Sequence, residues 1–316
     1  MKKLTIVLTG LMMMFALGLN AQDLNDAGKA YNKGIELAKD NKTFEAIKSY
    51  MKCSDISAKL GDVGEGLKSK AENQISSLYM KLGIDAYKAK EQDSAIALFK
   101  LSKEYANKVN DANQAAKAVD FIATTYVAQG NDHYKSKKYE EAIASFNNAI
   151  EYNPEYFKAY YGLAICYNKK EDTQGLEEAV NNVIKYGGED DVVEKARSIA
   201  ATYFLNLSGK ALQAGNNGEA AMMAKKCISY DYMQAGAYYY EATAQNNLKN
   251  WDEAIKAATT GLKAEKEDQS NLYFELGRAY EGKGDSANAC ESYGNVSSGP
   301  NVAAANYQRV QVLKCE

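Results

Sequence analysis

Few side chains in this sequence have the type and spacing that catalysis needs. The single histidine, His133, falls on an apolar helical stripe, which favours a partly buried structural imidazole over a general base. Glu140 and Glu141 are sequence neighbours, so they cannot share one helical face as paired carboxylates would. Lys68 and Ser69 stand one residue beyond the place that a phosphate loop requires, and nucleophile-elbow, zinc-protease and dinucleotide motifs are absent. We therefore predict a protein that is not an enzyme and has no cofactor or metal site.

The composition indicates an all-α protein. A chain of 316 residues with 46% hydrophobic residues can bury a core, and two prolines among abundant alanine, lysine and glutamate favour helices. The formal net charge of −3 is spread over both signs along the chain. The sequence therefore lacks the basic patch that nucleic acid requires, and it lacks a cationic helix for a membrane surface.

Residues 1–21 have the pattern of a cleavable secretory signal. Lys2 and Lys3 precede an apolar run from Leu4 to Leu19, and the small Ala21 suits the position before a cleavage site. A membrane anchor is the alternative, but the run is short for a span of about 20 residues. We predict export to the periplasm or the medium, without stable membrane insertion once the signal is removed.

An alanine that recurs in one context divides the rest of the chain into about seven units. A short acidic or polar block holds each alanine, and an apolar run follows it. These alanines are Ala46, Ala95, Ala142, Ala179, Ala220, Ala254 and Ala289. In six units a small residue stands twelve positions earlier, and in the fourth unit three extra residues follow the small Ala164. Six of the seven small residues have an aromatic residue four positions before them.

Steps of four and three residues return to one face of a helix, so each unit predicts two helices, A and B. The small residues let the two helices approach closely, and we expect the aromatic residue of helix A to cover their crossing from the side. Polar turns such as residues 135–138 and 282–285 are short enough to make each pair an antiparallel hairpin. Wider spacing in the first three units predicts longer helices or an added turn around Leu60 to Gly66.

The segment from Tyr126 to Pro154 resembles a tetratricopeptide repeat. The residues that carry the resemblance are Gly130, Tyr134, Tyr139, Ala142, Phe146, Ala149 and Pro154. The signature returns near the C-terminus in Leu276, Gly277, Tyr280, Ala289 and Tyr293. The resemblance implies a right-handed α-solenoid of about seven hairpins over residues 22–300.

Residues 301–316 are expected to cap the last hairpin, whose core has no further neighbour. The apolar positions of this cap are Val302, Ala305, Val310 and Leu313. Cys290 opens the last helix B and Cys315 ends the cap, and an antiparallel hairpin brings such ends together, so we predict a disulfide between them; two unpaired thiols are the alternative. Cys53 and Cys227 fall on the buried stripe of helix B and are interpreted as small core residues.

The resemblance implies that the A helices line a groove for a partner. The aromatic residues expected there are Tyr31, Tyr87, Tyr134, Tyr161, Tyr239 and Phe274. Such side chains offer large, rigid contacts, although packing against the next hairpin is the alternative. Lys88, Lys135 and Lys169 form a basic stripe that could hold an acidic segment, but lysine at a helix C-terminus also complements the helix dipole.

Two functional hypotheses follow. The first is an exported scaffold or adaptor that binds a protein or peptide, with a tyrosine-lined groove and no deep polar pocket. The second is an accessory module for uptake across the envelope, in which the same tyrosines stack on a carbohydrate or another small ligand. A closed pocket between two repeats would favour the second hypothesis.

Overall fold

A computed structural model describes residues 22–315 as helices joined by short connections. Helix α1 spans residues 22–39. The helices after it are α2 (Thr43–Lys59), α3 (Asp62–Lys88), α4 (Gln92–Lys108), α5 (Ala112–Lys135), α6 (Tyr139–Tyr152), α7 (Phe157–Lys170), α8 (Thr173–Tyr186), α9 (Asp191–Gln213), α10 (Asn217–Tyr230), α11 (Ala235–Asn247), α12 (Trp251–Ala264), α13 (Ser270–Gly282), α14 (Ser286–Gly294) and α15 (Val302–Tyr307), which continues into a π-helix (Gln308–Val312). No described residue forms a strand, so the all-α prediction is confirmed. The predicted signal, residues 1–21, lies outside the described residues.

The chain divides into two compact units, Met1–Gly162 and Leu163–Glu316. In the first unit each helix from α2 to α5 packs against the next one, and α3 also packs against α5. In the second unit the same serial packing runs from α8 to α14, and α11 packs against both α9 and α13. Odd-numbered helices up to α13 are the predicted A helices, and even-numbered helices are the B helices. The predicted α-solenoid of antiparallel hairpins is therefore confirmed.

The turn from helix A to helix B is the same in all seven hairpins. Its last residue before the helix B cap has a positive φ between 56° and 79°. The cap residue then donates its N–H to the carbonyl five residues earlier, at 2.9–3.0 Å. This is the 6→1 hydrogen bond of a Schellman motif. The positive-φ residues are Asn41, Lys90, Lys137, Glu171, Gly215, Lys249 and Gly284. Each stands seven positions after the small residue of helix A, so the repeat register can be read from the backbone.

This turn corrects the sequence assignment in the fourth hairpin. In the other six hairpins the residue that caps helix B stands four positions before the recurring alanine. In the fourth hairpin Asp172 caps α8 through a bond from the Gly175 N–H, so Leu176 takes the alanine position. The assignment of Ala179 was wrong because that residue lies on the same buried helical face, three positions further on. With Leu176 in place, no extra residues are needed in this hairpin.

The wide spacing of some repeats comes from longer helices. Helices α3, α5 and α9 have 27, 24 and 23 residues, whereas α7, α11 and α13 have 13 or 14. Only Leu60 and Gly61 separate α2 from α3, so the alternative of an added turn around Leu60 to Gly66 is wrong. The extra residues extend the helices, and the A-to-B turn keeps its geometry.

In four hairpins a glycine of helix A lies directly against an aromatic ring of helix B. A Cβ atom on the glycine would lie 2.5–2.7 Å from the nearest ring carbon, closer than real Cβ contacts. The pairs are Gly34 with Tyr50, Gly83 with Phe99, Gly130 with Phe146, and Gly277 with Tyr293. We call these contacts the glycine–ring seam. The predicted cover by the aromatic residue of helix A was wrong, because the ring comes from helix B.

The aromatic residue of helix A packs elsewhere in the hairpin. In three hairpins its ring lies 5.8–6.0 Å from an aromatic ring near the end of helix B. These pairs are Tyr79 with Tyr105, Tyr126 with Tyr152, and Phe204 with Tyr230. The small residue and the aromatic residue of helix A thus have separate partners on helix B, which is why their spacing recurs.

The glycine–ring seam leads to a test within one helix. Gly83→Ala is expected to lower the free energy of unfolding by about 1–3 kcal/mol, since the added methyl group must displace the buried Phe99 ring. Gly66→Ala in the same helix meets nothing within 4 Å and is expected to raise it by about 0.5–1 kcal/mol. Urea unfolding followed by circular dichroism measures both. If both substitutions changed the free energy of unfolding by the same amount and in the same direction, the glycine–ring seam would not be what limits the size of residue 83.

The C-terminal segment caps the last hairpin, although its geometry differs in part from the prediction. Ala305 is buried, and Val302 and Leu313 pack against the core formed by α14. Val310 is exposed, so its assignment to the buried side was wrong. The chain changes to a π-helix at Gln308, where residues per turn increase and the α-helical spacing no longer holds.

The structure joins Cys290 to Cys315 in a disulfide with Cα atoms 5.8 Å apart, which is the pairing expected from the sequence. The other three cysteines, Cys53, Cys166 and Cys227, are buried and form no disulfide in the structure. Burial raises the pKa of Cys227 to about 12, so this thiol stays protonated in its core position. Among residues 22–315, no helix combines the length and apolar character needed to cross a membrane.

Candidate functional site

The first unit presents four of the predicted aromatic residues on successive A helices. Tyr31, Tyr87, Tyr134 and Tyr161 lie on α1, α3, α5 and α7, and all four are half-buried. The Tyr31 ring meets the Tyr50 ring edge-on at 5.3 Å, and the Tyr134 ring lies 5.6 Å from the ring of Tyr139. These side chains therefore pack partly against their own hairpins and keep part of their surface in solvent.

Aliphatic side chains accompany the tyrosines. Ile35 and Ile84 directly follow the seam glycines of α1 and α3, are half-buried, and pack against the cores of their hairpins. Val127 of α5 is half-buried as well. The two isoleucines were not predicted from the sequence, although their position one residue after a recurring glycine was a usable signal. We define the A-helix face of the first unit as the surface that seven half-buried side chains form. They are Tyr31, Ile35, Ile84, Tyr87, Val127, Tyr134 and Tyr161.

The lysines of the predicted basic stripe are exposed but have carboxylates nearby. Lys88 and Lys135 are the last residues of α3 and α5, where a cation complements the helix dipole. The Nζ atom of Lys135 lies 3.8 Å from an Asp132 carboxylate oxygen. Asp85 stands three residues before Lys88, as Asp132 does before Lys135. Local charge is therefore close to balanced along these helix ends. In the second unit Lys169 is exposed near the end of α7.

The two predicted aromatic residues of the second unit have packing roles. The Phe274 ring lies 5.8 Å from the ring of Tyr293 and belongs to the core beneath the C-terminal cap. Tyr239 lies 5.5 Å from Tyr240, and burial, followed by the nearby Glu275 carboxylate, raises the pKa of Tyr239. For these two residues the packing alternative describes the structure better than an open groove.

A buried polar cluster lies beside Tyr239 and was not predicted from the sequence. The amide Nδ2 of Asn246 on α11 donates to the Glu275 carboxylate at 2.7 Å and to the Glu275 carbonyl at 2.8 Å. Arg278 donates to the same carboxylate at 2.9 Å. Burial raises the pKa of Glu275, and the charge of Arg278 opposes this shift. The cluster joins α11 to α13 through hydrogen bonds, so its role is to fix the packing of the last two A helices.

Two clefts of the second unit are lined by neither Tyr239 nor Phe274. A cleft of about 780 Å³ is lined by residues 265–270 together with Tyr273, Asn295, Ser297 and Ser298. Another, of about 380 Å³, is lined by residues of α9 and by residues 228–232. Within residues 22–315 we find no group of three or more histidine, cysteine or acidic side chains that could hold a metal ion. The A-helix face of the first unit is therefore the candidate site.

Comparison with known families agrees with the repeat geometry. A TPR repeat model matches residues 130–170, and a tetratricopeptide repeat model matches residues 270–296. These segments contain the seam pairs Gly130 with Phe146 and Gly277 with Tyr293. These two segments of the chain are therefore tetratricopeptide repeats, and proteins built from such repeats are generally scaffolds for other proteins.

Several solved structures are similar to this chain. YrrB, described as a TPR protein with an unusual peptide-binding site, is 17% identical over 61% of this chain and 89% of its own, with a TM-score of 0.35. A tetratricopeptide repeat protein from Parabacteroides merdae is 12% identical over 92% and 100%, with a TM-score of 0.29. The TPR2AB domain of yeast Sti1, in a complex with pHSP90, is 16% identical over 91% and 96%, with a TM-score of 0.34. No curated protein matches the chain.

Proposed function

We propose that this protein is an exported, non-enzymatic scaffold that binds a peptide segment of another protein on the A-helix face of its first unit. The observation that carries the proposal is the row of half-buried aromatic and aliphatic side chains on successive A helices. A tyrosine that is already packed on one side loses little conformational freedom on binding and still offers a large contact area.

The spacing of the A helices suits an extended peptide. Packed helices lie about 8–10 Å apart, so crossing four A helices takes roughly 30 Å. An extended chain covers about 3.3 Å per residue, which makes the bound segment roughly nine residues long. Because Lys135 has Asp132 beside it, we expect apolar side chains to select the partner more than net charge does. The affinity should then depend only weakly on salt.

Two features support action outside the cytoplasm. Residues 1–21 have the order of charge, apolar run and small residue that is typical of a secretory signal. The disulfide between Cys290 and Cys315 is of a kind that persists in oxidising compartments and is rare in the cytosol. The partner is therefore expected among periplasmic or secreted proteins.

A displayed library of random 12-residue peptides tests the proposal. Peptides selected on the purified protein are expected to bind the variant Tyr87→Ala with Tyr161→Ala at least about 10-fold more weakly, as measured by fluorescence polarisation. The control is Tyr232→Ala, which removes an exposed tyrosine from the connection between α10 and α11. Unchanged affinity in the double variant, or an equal loss in the control, would reject this face as the site.

A further inference from the structure

The carboxylate of Glu275 is buried between two A helices of the second unit. Glu275 on α13 is 3% exposed, and Asn246, which faces it from α11, is 2% exposed. An ionised carboxylate loses most of its hydration at such a position, so its charge is stable only beside strong partners. The cation that reaches it is Arg278, whose Nη1 donates at 2.9 Å to one oxygen and at 3.2 Å to the other. The protonation of Glu275 is therefore decided by burial on one side and this arginine on the other.

Arg278 is a weak counterion for a buried group. Its side chain is 34% exposed, so water screens its charge. Both of its bonds to the carboxylate come from Nη1, whereas Nη2 donates to the side-chain oxygen of Asn247 at 3.0 Å. The guanidinium therefore lacks the two parallel N–H bonds through which arginine holds a carboxylate most strongly.

The amide of Asn246 leaves one buried acceptor without a donor. Its Nδ2 donates to the carboxylate and the carbonyl of Glu275, which fixes the amide, because the reverse orientation would place an oxygen against two acceptors. The Oδ1 atom is buried and receives no hydrogen bond from the residues that the structure describes. A buried acceptor of this kind lowers stability. An ionised carboxylate has no hydrogen to donate, whereas a protonated one has an O–H group beside this amide.

The other elements around Glu275 contribute no second cation. The charged residue of α11 is Glu241, whose partner is Lys225 at 3.7 Å. Tyr239 of α11 and Tyr293 of α14 interact with the Glu275 carboxylate, and burial raises the pKa of both hydroxyls, so they stay neutral near pH 7. The charged residues of α12 and α14 are all exposed; they are Asp252, Glu253, Lys256, Lys263 and Glu291.

We propose that Asn246 and Glu275 form a proton-uptake pair, which tightens the contact between α11 and α13 as the surroundings become more acidic. A carboxylic acid and an amide can exchange two hydrogen bonds, so the added proton would give the Asn246 Oδ1 atom the donor that it lacks.

The sign of the pH dependence follows from the direction of the shift. Burial raises the pKa of Glu275, and the opposing effects of Arg278, Asn246 and Thr243 do not cancel this. A carboxyl whose pKa is higher in the folded chain than in the unfolded chain adds stability as the pH falls through the folded value. The gain is complete below the ordinary glutamate value of 4.5 and is lost above the raised one. This pair should therefore stabilise the second unit more at pH 5 than at pH 8.

The single tryptophan, Trp251, lets the second unit be measured separately. Its ring packs against Gly282 of α13, where an added Cβ would lie 2.6 Å away. Urea unfolding followed by tryptophan fluorescence compares the wild type with Glu275→Gln, whose amide has the same shape and can donate to Asn246 at every pH. Between pH 8 and pH 5 the folding equilibrium constant of the wild type, divided by that of the variant, should rise at least about 3-fold.

Glu291→Gln is the matched control, since it removes an exposed carboxylate from α14. Its ratio to the wild type should not change with pH. A carbon NMR titration of the Glu275 carboxyl group in the wild type needs no variant, and its midpoint should lie above 4.5. A midpoint at or below that value would overturn the inference. So would a ratio for Glu275→Gln that is constant or falls toward pH 5, or an equal rise for Glu291→Gln.

Discussion

Replacement of Phe146 by alanine should lower the free energy of unfolding of the first unit by about 3–5 kcal/mol. The Phe146 ring is fully buried between two glycines, Gly130 of α5 and Gly162 of α7. A Cβ on Gly130 would lie 2.6 Å from the ring, and one on Gly162 would overlap it. Neither glycine has a side chain that could move into the space that the ring leaves. Urea unfolding monitored by circular dichroism measures the loss.

Phe44→Ala is the control for this variant. Phe44 lies in α2 of the same unit and is exposed, so its removal should change the free energy of unfolding by no more than about 0.5 kcal/mol. If Phe146→Ala cost less than about 1 kcal/mol, the hairpin contact would not depend on the ring between the glycines, and the seam would be the wrong description of the repeat.

Loss of the disulfide should have the second large effect. Cys290→Ser combined with Cys315→Ser is expected to lower the free energy of unfolding of the second unit by about 3 kcal/mol, because the bridge closes a loop of 25 residues. The α-helical part of the cap, α15, has six residues, and Ala305 is the residue it buries fully. A helix this short is not stable without a tertiary anchor. The cap should therefore exchange its amide hydrogens much faster in the variant.

The wild type under reducing conditions provides the comparison. With dithiothreitol it should show the stability of the double variant, while the double variant itself should not respond to the reductant. Equal stability of the oxidised wild type and the variant would mean that packing of Val302, Ala305 and Leu313 is enough to hold the cap.

The sequence predicted most of the repeat because its spacing follows from helix geometry. Gly83 and Ala95 are twelve residues apart, and this separation contains the end of helix A, a turn of fixed length and the first turn of helix B. The backbone of that turn is the same in every hairpin, with Lys90 or its equivalent at positive φ. A fixed turn makes the period visible in the sequence even when the side chains vary.

The errors arose where side-chain spacing does not determine the contact. In the fourth hairpin Leu176 stands where the other hairpins have the recurring alanine. Ala179 lies on the same helical face, so the sequence pattern assigned it to that position. The partner of each seam glycine could not be derived from helix A alone, since both Tyr79 and Phe99 have the required size. Val310 was misplaced because the π-helix has a different period.

The candidate site was predictable only in part. The tyrosines of the A-helix face follow from the repeat register, and the structure finds Tyr87 and Tyr161 half-buried on their A helices. The same register selected Phe274, which instead packs against Tyr293 beneath the cap. Register gives the face of a helix, whereas the exposure of a residue depends on what its neighbours leave open. The hydrogen bonds between Asn246 and Glu275 likewise depend on which neighbours the fold brings together, so the repeat register does not predict them.

Hydrogen–deuterium exchange with and without a selected peptide tests the central claim most directly. If the A-helix face of the first unit is the binding site, saturating peptide should slow exchange in α3 and α5 and leave α4 and α6 unchanged. Protection confined to those B helices, or to the second unit, would show that the tyrosine row is not where the partner binds.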